Sequence, residues 1–167
     1  MTKRITISTL DAMKASGDKF VMITAYDATF ARLASEAGAE TILIGDSLGM
    51  VLQGHETTIP VSLDAMAYHT ECVARARPHS LIVADLPFMS FSNADDTLHA
   101  STRLMQAGAQ MVKLEGGTWL SDSIHRLVER GVPVCAHLGL TPQSVNVFGG
   151  YRVQGRTPKE AKSILAD

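Results

Sequence analysis

The stretch LIVADLPFMSFSNADDTLHASTRLMQAGAQMVKLEGGTWLSDSIHRLVERGVPVCAH, residues 81–137, decides the fold. It holds three short apolar runs, 81–85, 111–115 and 133–137, each closed by an ionisable residue: Asp85, Glu115 and His137. Two segments of helical period lie between them. Ser92 or Asn93 can cap the first, Asp95 and Asp96 sit near its positive end, and Gly108 marks its close. In the second, 118–130, residues Leu120, Ile124, Leu127 and Val128 make one apolar stripe before Gly131 ends it. Strands alternating with helices over short connections predict a parallel sheet, because parallel neighbours need a crossover helix.

The same rhythm extends outward. Upstream, ITAYD ends at Asp27 and TILIGD at Asp46. Asp27 reads as the cap of a helix over 28–36 closed by Gly38, and Ser62 caps another, with Arg75 and Arg77 in its last turn before Pro78. Downstream, Thr157 opens a further helix, TPKEAKSILAD. The chain thus supplies five strands in 167 residues, against about 250 residues for an eight-stranded barrel. That leaves a five-stranded open sheet or the first part of a barrel. Residues 49–60 and 139–156 read as functional loops between elements.

Composition removes several classes of function. The formal net charge is −2, from 15 basic and 17 acidic residues, and the lysines and arginines are scattered, so nucleic acid is not expected as a partner. No run reaches the length of a membrane helix, and the N-terminus lacks the apolar core of a signal peptide. Cys72 and Cys135 have no CxxC spacing, and Cys135 lies in an apolar run where buried free thiols are common. A soluble cytoplasmic protein is the expectation.

The chemistry lies in the strand ends. Side chains alternate across a strand, so Lys113 and Glu115 share one face, as do Val83 and Asp85. Carboxylates gathered at one rim repel each other unless a cation joins them. Hard oxygen ligands without a Cys or His cluster favour magnesium, whose Lewis acidity would labilise a C–H beside the carbonyl of a chelating oxo acid. Asp46 precedes a glycine-rich stretch and Glu115 precedes Gly116-Gly117, so helix capping explains neither well. Lys113 is a candidate for the substrate carboxylate or developing enolate. His137 reads equally as a hydrogen-bonded core histidine or a substrate contact; His55, His69, His79, His99 and His125 show no ligand spacing.

A competing motif is present. Residues 45–49, GDSLG, match the G-x-S-x-G nucleophile elbow and the GDSL signature of a lipase and esterase family, and Asp122 to His125 supply a D-x-x-H pair. An elbow is followed directly by a helix, whereas MVLQGHETTIP does not look helical, and Asp122 and His125 fall opposite the apolar stripe. Ser47 is better read as a hydrogen-bonding group beside Asp46.

TAYD at 24–27, GDSLGM with QGH within 45–55, DLPFM at 85–89, VKLEGG at 112–117 and HLGLTPQSVNVFGGYRVQGR at 137–156 together resemble the 3-methyl-2-oxobutanoate (ketopantoate) hydroxymethyltransferase family. The resemblance implies an α/β fold, a TIM-type (β/α)8 barrel of which residues 1–167 form a single partial domain with about the first five strands. It implies transfer of a hydroxymethyl group from 5,10-methylenetetrahydrofolate to 3-methyl-2-oxobutanoate, giving 2-dehydropantoate in pantothenate biosynthesis through a magnesium-stabilised enolate. By motif position Asp46, Asp85 and Glu115 correspond to the magnesium ligands. Asp46, Ser47, Asp85 and Lys113 correspond to contacts with the oxo acid, with His137 near it. The family's general base is a glutamate beyond the VQGR block, and Glu160 is not in the matching motif, so no catalytic base is assigned. A cytoplasmic homo-oligomer, decameric in bacterial members, is implied as well. With two sheet edges open, at 20–25 and 132–137, the chain alone is expected to be an incomplete and inactive version of such an enzyme, or a fragment that binds metal and oxo acid without turnover. A related magnesium-dependent enolate enzyme of the phosphoenolpyruvate/pyruvate barrel type is the other enzymatic alternative.

Overall fold

The computed structural model describes residues 4–167. Five strands, β1 (Met22–Thr24), β2 (Thr41–Ile44), β3 (Leu81–Asp85), β4 (Met111–Glu115) and β5 (Val134–His137), form one sheet in the order β1-β2-β3-β4-β5, every pair parallel. Helices cross between them: α2 (Ala28–Glu36), α4 (Leu63–Arg75), α5 (Ala94–Gln106) and α6 (Ser121–Glu129). Ile42, Ile44, Ile82, Ala84, Val112 and Leu114 on one face of the sheet pack with Met66, Val73, Leu104 and Leu127 of the helices, and all are buried. The opposite face carries Leu43, Val83, Asp85, Lys113, Glu115, Cys135 and His137 by alternation. This is the strand succession of a β/α barrel, and among the described residues β1 and β5 each leave one edge unpaired.

Local chemistry sets the helix starts. Asp27 accepts from the N–H groups of Thr29 and Phe30 at 2.8 and 2.9 Å, Ser62 caps α4 through Ala65, and Asn93 rather than Ser92 caps α5 through Asp96. Thr157 and Glu160 form a reciprocal capping box for α8 (Pro158–Ala166), with proline in its first turn.

A helix α1 (Ile7–Ser16) covers a stretch the sequence reading leaves unassigned; Thr6 and Thr9 cap each other, and no residue of the helix is buried. Three expectations need correction. A single turn α3 (Leu48–Val51) follows Ser47 directly, where a non-helical stretch is expected, because Leu48 buries completely and anchors it. Gly49 permits that turn, since a Cβ there would stand 2.5 Å from Val61 Cγ2. Val128 is 56% exposed and lies outside the stripe, which is made by Leu120, Ile124 and Leu127. Arg77 lies beyond α4, at φ +50°, because the helix closes on Ala76. The 139–156 segment also folds locally, as a 3-10 turn over Pro142–Ser144 and the short α7 (Val145–Phe148). Cys72 and Cys135 are free and only half-buried; β5 is an edge strand, which leaves Cys135 partly open. No helix among the described residues is long and apolar enough to cross a membrane.

Candidate active site

Parallel register brings the strand-end groups together. Asp85 stands opposite Lys113, and Glu115 opposite His137. The first pair makes an ion pair of 2.5 Å between Lys113 Nζ and Asp85 Oδ1, and the second a contact of 3.1 Å between His137 Nδ1 and Glu115 Oε1. Asp46, just past β2, turns its backbone N–H onto Asp85 Oδ2 at 3.2 Å. Gly45 leaves room for the Ser47 hydroxyl, as a Cβ there would stand 2.7 Å from Ser47 Oγ.

Asp46, Ser47, Asp85, Lys113, Glu115 and His137 all line one cavity of about 400 Å³ at the carboxyl ends of the strands. All six residues singled out from the sequence are therefore gathered in one place. Asp27 caps its helix instead. Ser47 bonds Tyr26 Oη at 2.9 Å, and the Tyr26 carbonyl meets His69 Nδ1 at 2.8 Å. Asp122 pairs with Arg126 and His125 with Glu129 on the exposed side of α6, so no serine triad forms despite the turn that follows Ser47.

Four contributors escape a reading of the sequence. Gln143, from the loop after β5, is buried; its Nε2 donates to Asp46 Oδ2 at 2.8 Å and to the Leu86 carbonyl at 2.9 Å, while its backbone N–H donates to Glu115 Oε2 at 2.9 Å. Tyr26, Gly45 and Thr58 are the others. Thr58 Oγ1 lines the cavity, buried, without a hydrogen-bond partner of good geometry. The only signal for Gln143 was its place inside the 137–156 block, which marks a region and not a contact.

The electrostatics show a site short of positive charge. Burial pushes the Asp85 carboxyl up to about 7, with the Lys113 charge opposing and the Asp46 charge adding to the rise. Burial also raises Asp46, the Gln143 hydrogen bond working against it and the Glu115 charge with it. For Lys113 burial acts downward, but the charges of Asp85, Glu115 and Asp46 outweigh it and hold the ammonium above the ordinary lysine value. Among the described residues no group of three or more His, Cys, Asp or Glu side chains is placed to hold a metal ion. The donors present suit an ion held by one or two carboxylates, with water and substrate oxygens for the rest, which is the habit of magnesium.

Parallel strands in simple sequential order, with acids, a lysine and a histidine at their carboxyl rim, place the chain in the β/α-barrel class of α/β proteins. Solved structures agree on the fold: a phosphonopyruvate hydrolase, in complex with oxalate and Mg²⁺, superposes with TM-score 0.63 at 18% identity over 93% of this chain and 66% of that one. A 2,3-dimethylmalate lyase of the PEP mutase/isocitrate lyase superfamily gives TM-score 0.58 at 17% identity over 77% of this chain and 51% of that chain. The sequence model of ketopantoate hydroxymethyltransferase matches residues 4–167, and the chain belongs to that family. It is 61% identical to 3-methyl-2-oxobutanoate hydroxymethyltransferase of Burkholderia vietnamiensis, over 98% of this chain and 60% of that protein. It is 60% identical to 3-methyl-2-oxobutanoate hydroxymethyltransferase 2 of Pseudomonas aeruginosa PAO1, over 98% of this chain and 61% of that protein. The chain thus spans about 60% of the length of these curated relatives.

Proposed function

We propose that this chain carries the metal- and oxo-acid-binding half of a 3-methyl-2-oxobutanoate hydroxymethyltransferase, which takes its one-carbon unit from 5,10-methylenetetrahydrofolate in pantothenate biosynthesis. In that reaction C3 of the oxo acid loses a proton, a C3–CH₂ bond forms to the donor's methylene carbon, and water supplies the hydroxyl as tetrahydrofolate departs. The observation that carries the reading is the convergence of Asp46, Ser47, Asp85, Lys113, Glu115 and His137 on one cavity in a chain of this family.

Asp46 and Asp85 would hold a magnesium ion, with Glu115 beside it. The ion would supply Lewis-acid polarisation of the 2-oxo group. The raised carboxyl groups, with the buried Thr58 hydroxyl beside Asp46, fit an added cation with its water shell. Lys113 places its ammonium where the oxo acid carboxylate or the charge developing on its oxygen needs a donor. Ser47, oriented by Tyr26, offers a hydroxyl to the same ligand. Glu115 fixes the His137 ring through Nδ1, and His137 lines the cavity as a substrate contact. The proton acceptor is left unassigned among these residues. A cytoplasmic homo-oligomer belongs to the same reading.

Calorimetry tests the reading directly. The 167-residue chain should bind 3-methyl-2-oxobutanoate only when magnesium is present, and Asp46→Asn or Asp85→Asn should abolish that binding. Normal affinity in both variants, or binding unaffected by a chelator, would remove the metal assignment. A folate-dependent transfer assay on the same preparation separates binding from turnover.

A further inference from the structure

Each of the three carboxylates has one oxygen clamped by an N–H of the protein. Asp46 Oδ2 accepts from Gln143 Nε2, Asp85 Oδ2 from the Asp46 backbone and Glu115 Oε2 from the Gln143 backbone. The partner oxygens face other side chains or the cavity: Asp85 Oδ1 meets Lys113, Glu115 Oε1 meets His137, and Asp46 Oδ1 is free of the Gln143 clamp. Two of the three clamps come from one residue, 6% exposed and anchored a third time on the Leu86 carbonyl.

A carboxylate oxygen that accepts an N–H keeps a second lone pair, but a fixed donor holds the group's orientation, so both oxygens do not swing freely onto one cation. Calcium takes about 6–8 oxygens at roughly 2.3–2.6 Å and commonly draws both from one carboxylate, whereas magnesium takes an octahedron of single oxygens at about 2.0–2.1 Å. We infer that Gln143 tunes cation specificity: by holding Asp46 Oδ2 it biases that carboxylate toward single-oxygen ligation, which favours magnesium over calcium. This rests on the magnesium reading above. The Gln143 amide N–H groups donate to Asp46 and to the Leu86 carbonyl, so the residue acts through Asp46 as a positioning residue.

The test compares magnesium and calcium affinities of the wild-type chain, Gln143→Met and Gln143→Glu by calorimetry in the presence of 3-methyl-2-oxobutanoate. Gln143→Met keeps the length of the side chain and removes the donor to Asp46. Magnesium affinity should fall about tenfold, the scale on which partners of metal ligands act, while calcium affinity holds or improves, so the magnesium-to-calcium ratio drops. A merely structural residue would weaken both ions in parallel. An unchanged ratio in a folded variant overturns the inference and leaves the magnesium reading intact, whereas a wild-type chain that binds neither ion defeats both. Circular dichroism and the fluorescence of Trp119, the sole tryptophan, in a hollow shared with Glu115 and Gln143, report folding. Should Gln143→Met not fold, Gln143→Glu decides by the same ratio, as its added carboxylate suits the higher coordination number of calcium.

Discussion

Lys113→Met removes the charge that faces Asp85 and keeps most of the apolar stem. In the native chain the two side chains are only 11% and 5% exposed and 2.5 Å apart. With Asp85 pushed up to about 7, the folded state binds its proton more tightly than the unfolded chain, whose carboxyl titrates near the ordinary value of 3.8. The unfolded state therefore carries fewer protons between about pH 4 and 7, and wild-type stability falls with rising pH across that window, then levels off. Lys113, raised above its ordinary value, stays charged in both states there and adds no slope. Without the ammonium, an ionised Asp85 would cost about 3–5 kcal/mol, so the carboxyl keeps its proton to higher pH. At about 1.4 kcal/mol per pH unit, the deficit of the variant should be about 3 kcal/mol larger at pH 9, two units above the wild-type Asp85 value, than near pH 6. Urea denaturation at the two pH values, followed by circular dichroism and Trp119 fluorescence, measures the difference. An equal loss at both, or a larger one at pH 6, would refute the electrostatic account.

Further expectations concern the competing motif, the core and the edge. Ser47 should not be labelled by a fluorophosphonate, and Ser47→Ala should weaken magnesium-dependent oxo acid binding only modestly; stoichiometric labelling would restore the hydrolase reading. Leu127→Ala should destabilise by about 2–5 kcal/mol, while Val128→Ala stays within about 0.5 kcal/mol, as their exposures of 1% and 56% require; equal denaturation midpoints would contradict this. The 167-residue chain should self-associate through β1, whose Met22 and Ile23 are 41% and 43% exposed. Ile23→Lys should shift light scattering toward monomer without altering the circular dichroism, and an unchanged association would place the contact elsewhere.

Much of the fold was legible because its determinants are local in the chain. Apolar runs of four or five residues, capping by Asp27, Ser62 and Thr157 and the glycines that close helices are each read within a few positions, and the structure keeps them. The acids and lysine were legible because register alone sets Asp85 against Lys113 and Glu115 against His137. Other features depend on contacts distant in sequence. Gln143 reaches Asp46 across 97 positions, and nothing near it in the chain announces that bond. The turn at Leu48–Val51 depends on a buried leucine and a glycine against Val61, also invisible to periodicity. Helix α1 buries none of its residues, and its capping by Thr6 and Thr9 is its clearest local signal. Val128 was misplaced because a stripe spanning four residues of a helix can be one position too wide.

The simple succession of strands from β1 to β5 shapes how the molecule can come into being. Every new strand docks beside the one made just before it, so the sheet can lengthen in step with synthesis, at about 5–20 residues per second. At each stage the youngest strand and β1 each leave one edge open among the described residues, and β1 does so from the beginning. The earliest strand made is therefore the one that must longest be kept from pairing with the wrong chain.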